Sequence, residues 1–178
     1  MSGDLSAKIE EYMQSLRRSQ GAVWGGSMIV TAPELLYEVS KYCRPWWKKL
    51  LLGFRSHLYD LEYYMCTQDQ LLEFLEWWRK EQLPSLMYTP EKFDCDDFAF
   101  LFKALCVMKT HLNCSLLVGG EVRQNGELLG LHAWNLVVVD APREVQFVEP
   151  QTGEILQVVQ GKIVRSDGWE YVPLWVVG

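Results

Sequence analysis

The sequence lacks any apolar run near the roughly 20 residues that a membrane-spanning helix needs. Its first residues, MSGDLSAKIEEYMQ, lack the basic-then-apolar order of an export signal. These absences predict a cytoplasmic protein with no membrane span. Positive charge is in deficit: 17 Lys and Arg face 23 Asp and Glu, for a net charge of −6. A phosphate-binding face requires the opposite balance, so no nucleic-acid partner is expected. The five cysteines (43, 66, 95, 106, 114) are odd in number and irregularly spaced, with no C-x-x-C pair. That disfavours both a disulfide framework and a zinc ladder, and it fits a reducing compartment. No internal repeat, low-complexity tract or long linker divides the 178 residues, so residues 1–178 are expected to form one domain.

What the sequence does contain falls into two halves. Residues 1–87 read as mainly helical. Leu5, Ile9, Tyr12, Met13 and Leu16 recur at helical spacing behind Asp4. Pro33 suits a first helical turn. Leu71, Phe74, Leu75 and Trp78 form one stripe behind Thr67, a capping residue type. From 88 to 178 the chain holds one helix near Asp94 to His111, then period-two segments with glycine turns. Helices first and an antiparallel sheet second predict an α+β fold, with N-terminal helices packed on a C-terminal antiparallel sheet.

The stretch EKFDCDDFAFLFKALC, residues 91–106, is the chemically notable one. With Asp94 as N-cap, Cys95 takes the first helical position and starts a stripe of Phe98, Ala99, Phe102, Leu105 and Cys106. The helix dipole favours a thiolate there, whereas ionised neighbouring carboxylates disfavour it. Asp96 and Asp97 lie about 100° and 200° round the helix from Cys95. Read alone, the stretch is a capped helix start with a buried cysteine. A nucleophile or a metal site is the alternative, and a nucleophile requires a base.

Of three histidines, His57 lies in RSHLYD and His111 ends the Cys95 helix. His132, in GLHAWNLVVVD, shares a strand face with Trp134, Leu136 and Val138, and that face is expected to lie under the helices. If residues 140–143 (DAPR) form the hairpin loop, Val139 opposes Glu144, Leu136 opposes Phe147 and Trp134 opposes Glu149. Glu149 then falls on the His132 face as a diagonal neighbour. A carboxylate on a buried face needs a partner, and the imidazole supplies one. Cys95, His132 and Glu149 therefore read as nucleophile, proton carrier and orienting acid.

As a set, FDCDDFAF, LHAWNLVVVD and VQFVEPQTGEI resemble the papain-like and transglutaminase-like cysteine hydrolases. They are similar in particular to the bacterial transglutaminase-like cysteine proteinases and to the C-terminal peptidase domain of a mushroom agglutinin. The resemblance covers roughly residues 88–177 and implies a papain-like core in which Cys95, His132 and Glu149 carry over as a triad. Glu replaces the Asp or Asn common in that superfamily. Gln68 and Gln70 are the nearest upstream side chains for an oxyanion hole, and the Cys95 backbone N–H is the better donor. No cofactor is required. Calcium at Asp94, Asp96 and Asp97 stays open, against simple helix capping.

The leading expectation is a thiol-dependent acyl-transfer enzyme, a cysteine peptidase or amidase acting on a peptide or protein substrate. The alternative is a catalytically silent binding or assembly module that keeps the fold, with the N-terminal helix as a contact between copies.

Overall fold

The computed structural model describes residues 29–45, 47–140 and 143–178. The expected helix at Leu5–Leu16, with its role in self-association, lies outside the described residues. The chain opens with β1 (Ile29–Thr31), α1 (Ala32–Ser40), α2 (Lys48–Arg55) and β2 (Glu62–Tyr64). Next come α3 (Gln68–Trp77), a π-turn (Trp78–Gln82), a 3-10 turn (Leu83–Ser85) and α4 (Cys95–Thr110). Strands β3 (Ser115–Gln124), β4 (Glu127–Asp140), β5 (Arg143–Glu149), β6 (Glu154–Val159), β7 (Lys162–Val164) and β8 (Glu170–Val177) follow.

Strands β3 to β8 pair antiparallel in chain order, and β8 returns to pair with β3, closing a six-stranded barrel. This corrects the expected α+β, papain-like core of helices on an open sheet. The dominant element is a closed antiparallel barrel with few helices around it. Closure satisfies the hydrogen bonds that an open sheet leaves at its edges. The shift of register between Gly119 and Gly120 in the β3–β8 pairing belongs to that closure.

Residues 133–139 of β4 are all buried, because the barrel covers one face and helices the other. Trp134, Leu136 and Val138 point into the barrel with Leu116, Val118, Phe147, Leu156, Ile163 and Tyr171. Leu35 and Val39 of α1 and Leu52 of α2 join the same core. Val137 and Val139 point outward against Phe98, Phe102 and Cys106 of α4 and Leu71, Phe74 and Trp78 beside them. The face carrying His132 is thus the barrel's interior, not the face under the Cys95 helix as expected. Asn135, on the outer face, fastens that helix: its Nδ2 donates to the carbonyls of Ala99 (3.0 Å) and Leu116 (3.3 Å).

The β4–β5 register agrees with the hairpin reading, with Val139 opposite Glu144 and Leu136 opposite Phe147. Pairing extends to Asp140 opposite Arg143, which shortens the connection to residues 141–142. Thr67 caps α3: its hydroxyl accepts from Gln70 N (3.1 Å), and Gln70 Oε1 accepts from Thr67 N (2.8 Å). Trp78, at the end of that stripe, donates its indole N–H to Pro150 O at 2.8 Å, so α3 props the turn that follows Glu149.

Gly119 sits beneath the Trp175 indole, where an added Cβ would lie 1.8 Å from a ring carbon. Trp175 also packs in the cluster that holds Cys95, Ala99, Leu117 and Ala133. Gly119→Val should therefore cost about 1–3 kcal/mol through overpacking, read as a lowered midpoint in urea. An unchanged midpoint would show that Trp175 does not occupy this position.

Candidate functional site

The N-terminus of α4 is built as its capping residues dictate. Asp94 is the N-cap with extended backbone, and its N–H donates to Asp97 Oδ2 at 3.2 Å. Glu91 N donates to Asp94 Oδ2 at 3.3 Å. Asp97 is therefore engaged in holding the helix end. Asp94 and Asp96 instead share a hydrogen bond, which lowers the Asp94 carboxyl and raises that of Asp96; partial burial adds to the rise. Asp94, Cys95 and Asp96 offer ligand atoms within 4.8 Å of one another. Two carboxylates and a sulfur make up this group, so the expected oxygen set of Asp94, Asp96 and Asp97 is brought together only in part.

Cys95 is half-buried at the first turn of α4, and its thiol interacts with the His132 ring and favours the charged imidazole. The helix runs along the outside of the barrel while His132 comes from the strand face that points inward. They meet because His132 stands near the start of the buried part of β4, at the barrel's rim. The other side of the imidazole is fixed by Glu149, with Nε2 to Oε2 at 2.8 Å. Glu149 is fully buried and the His132 side chain is 13% exposed. His132 and Glu149 thus form a hydrogen-bonded pair that leads from the rim into the barrel, with the Cys95 thiol interacting at its outer end.

Tyr171 is the site residue that sequence reasoning missed. Its hydroxyl donates to Glu149 Oε2 at 2.9 Å, and Gln151 N donates to Oε1 at 3.1 Å. Burial, then the adjacent Glu149 charge, pushes the Tyr171 phenol up, so it stays a donor. Its ring lies edge-on to Trp134 (5.1 Å) and to His132 (5.9 Å), and His132 stacks on Trp134 at 6.5 Å. The alternation of EYVPLWVV offered a hint, since Tyr171 is a hydroxyl-bearing ring in a strand that is otherwise apolar after Glu170.

The remaining sequence candidates lie elsewhere. Gln68 Oε1 accepts from Gln146 Nε2 at 2.7 Å, and Gln70 is committed to the Thr67 cap. His57 pairs through its backbone with the end of β8. His111 is the C-cap of α4, in left-handed conformation with φ 59°.

Burial opposes a charge on His132, but its interactions with Cys95 and Glu149 outweigh it and hold its pKa at about 9. This lies above the ordinary value of about 6.5, so the contribution to stability is complete below about pH 6.5 and is lost as pH rises through about 9. An NMR titration of the His132 ring should show its inflection near 9. In Glu149→Gln it should fall by at least a unit, and the alkaline loss of stability should weaken with it. A wild-type inflection near 6.5 would contradict the arrangement.

Comparison with known proteins corrects the reading of this geometry. Residues 50–161 match the family model of the ricin-type beta-trefoil lectin C-terminal domain. No match is found among curated proteins. Several solved structures share the fold, among them the following two. One is a PSL1a–E64 complex, with 23% identity over 84% of this chain and 51% of that one and a TM-score of 0.57. The other is Polyporus squamosus lectin bound to the human-type influenza-binding epitope Neu5Acα2-6Galβ1-4GlcNAc, with 24% identity over 84% and 49% and a TM-score of 0.53. The chain spans about half the length of these structures. The lectin-domain match overturns the resemblance to papain-like and transglutaminase-like cysteine hydrolases. It also overturns the expected cysteine peptidase or amidase activity, and the peptide substrate loses its support. No helix among the described residues is long and apolar enough to cross a membrane. The chain belongs to the family of ricin-type beta-trefoil lectin C-terminal domains.

Proposed function

We propose that this domain is a ligand-binding module, and that Cys95, His132 and Glu149 form its recognition site at the barrel rim. The observation that carries this is the pinned imidazole: Glu149 holds it at 2.8 Å from within, and Cys95 meets it from the outside. Such a ring presents a fixed charge beside a half-buried thiol and costs little further ordering when a ligand arrives. The Trp134 indole N–H, stacked against His132, is buried with no partner among the described residues, a donor that a ligand or a water would satisfy. Lectin-domain membership supports binding as the activity. One structural neighbour is in complex with E64 and another with a sialylated trisaccharide, so these two compounds are the first probes.

Calcium is the candidate ion for Asp94 and Asp96, whose mutual repulsion a divalent cation would relieve. Residues 1–178 are taken as one functional unit. A cytoplasmic location fits the five free cysteines.

Calorimetric titration of the protein with E64 and with the trisaccharide, each with and without calcium, tests the reading. At least one compound should bind, and His132→Ala or Cys95→Ala should weaken it at least tenfold, about 1.4 kcal/mol. Binding of neither, or binding indifferent to both substitutions, would refute a recognition site at the rim.

A further inference from the structure

Three of the remaining cysteines, scattered in sequence, converge behind the site. Cys106 comes from the fourth turn of α4 and Cys114 from the residue just before β3. Their sulfurs lie 3.9 Å apart, and both side chains are buried. Cys66 reaches the same place from the segment that bridges onto Val139 of β4; its thiol donates to Val138 O at 3.5 Å and interacts with Cys114. The Thr110 hydroxyl adds a contact of 3.8 Å to the Cys114 sulfur. Cys114 is therefore the centre of the group, in contact with the Cys106 sulfur and the Thr110 hydroxyl. The interactions with Cys106 and Cys66, helped by Thr110, favour its thiolate against burial, and the same contacts push Cys106 and Cys66 up.

We propose that Cys106 and Cys114 are a modification site, forming a reversible intramolecular disulfide on exposure to peroxide. Only this pair combines sulfur contact with a short intervening chain, residues 107–113, which turns at the left-handed His111. The sulfurs must close from 3.9 Å to about 2 Å, a movement that side-chain rotation and adjustment of the turn supply. In the first step the Cys114 thiolate attacks a peroxide oxygen. The O–O bond breaks, hydroxide leaves and takes up a proton as water, and Cys114 becomes a sulfenic acid. In the second step the Cys106 sulfur attacks the Cys114 sulfur. The S–S bond forms as the S–O bond breaks, and the hydroxide leaves as water with the Cys106 proton. Two thiols are oxidised and one hydrogen peroxide is reduced to two waters. The bond ties the end of the helix that carries Cys95 to the strand beside the one that carries His132.

Tryptic cleavage after Lys103, Lys109 and Arg123 puts Cys106 in peptide 104–109 and Cys114 in peptide 110–123, so the bond is read directly as a cross-linked pair. Cys66 falls in a third peptide, 56–79. The experiment treats the folded protein with hydrogen peroxide in a Cys95→Ala background, which removes the half-buried thiol, and maps the peptides before and after dithiothreitol. Peptides 104–109 and 110–123 should appear linked, with the link reversed by dithiothreitol. It should persist with Cys66→Ala added and disappear with Cys114→Ala. A Cys66–Cys114 link would overturn the pair assignment. Sulfinic or sulfonic Cys114 without a link, or unchanged thiols at peroxide concentrations that oxidise Cys95 in the unsubstituted protein, would overturn the site. Because the unlinked and linked peptides are both read in protein with this cluster intact, poor folding of a cluster variant does not blunt the result.

Discussion

Glu149 is a carboxylate with no exposure to solvent, set inside a barrel of aromatic and aliphatic side chains. Such a group is tolerable only when its oxygens are satisfied. Three donors do this from three directions: His132 Nε2 on β4, the Tyr171 hydroxyl on β8 and the backbone N–H of Gln151 just after β5. Each donor fixes something else. His132 is turned toward Cys95, Tyr171 is wedged against Trp134, and the 149–153 turn is closed by Gly153 N to Glu149 O at 2.7 Å. Removing the carboxylate would leave the imidazole without its orienting partner and the tyrosine hydroxyl unpaired in the core.

The barrel makes this arrangement possible because it uses both faces of β4. Its interior face delivers His132 and seats it over Trp134, while its exterior face receives α4 through Val137, Val139 and the Asn135 clamp. A helix on one side and a histidine on the other meet only at the rim, where the Asp94 cap ends the helix and leaves Cys95 at the edge. The site therefore depends on where α4 begins. Asp94 and Asp97 matter through that boundary as much as through their charge.

Local features were legible in the sequence. The Asp94 cap, the Thr67 cap, the α3 stripe and the β4–β5 register all follow from neighbours within a few residues or across one hairpin. Long-range features were not. Closure depends on β8 returning to β3, some 50 residues apart in the chain, and alternation in either strand carries no record of it. Alternation also shows that His132 and Trp134 share a buried face without showing whether helix or barrel buries it. Tyr171 could not be assigned to the site for the same reason, since its contact with Glu149 crosses from β8 to β5. The function was misread because a thiol, an imidazole and a carboxylate in that order are the groups of a nucleophilic triad, and residue types alone do not separate turnover from recognition. The domain-family match supplied that distinction.

The most direct measurement is a double-mutant cycle between His132 and Glu149, using urea denaturation of the wild type, His132→Ala, Glu149→Gln and the double variant at pH 7. The two single substitutions should each destabilise, and together they should fall short of additivity by about 1–3 kcal/mol. Additivity to within about 0.3–0.5 kcal/mol would mean that the buried carboxylate does not hold the imidazole, and the account of the site would fail with it.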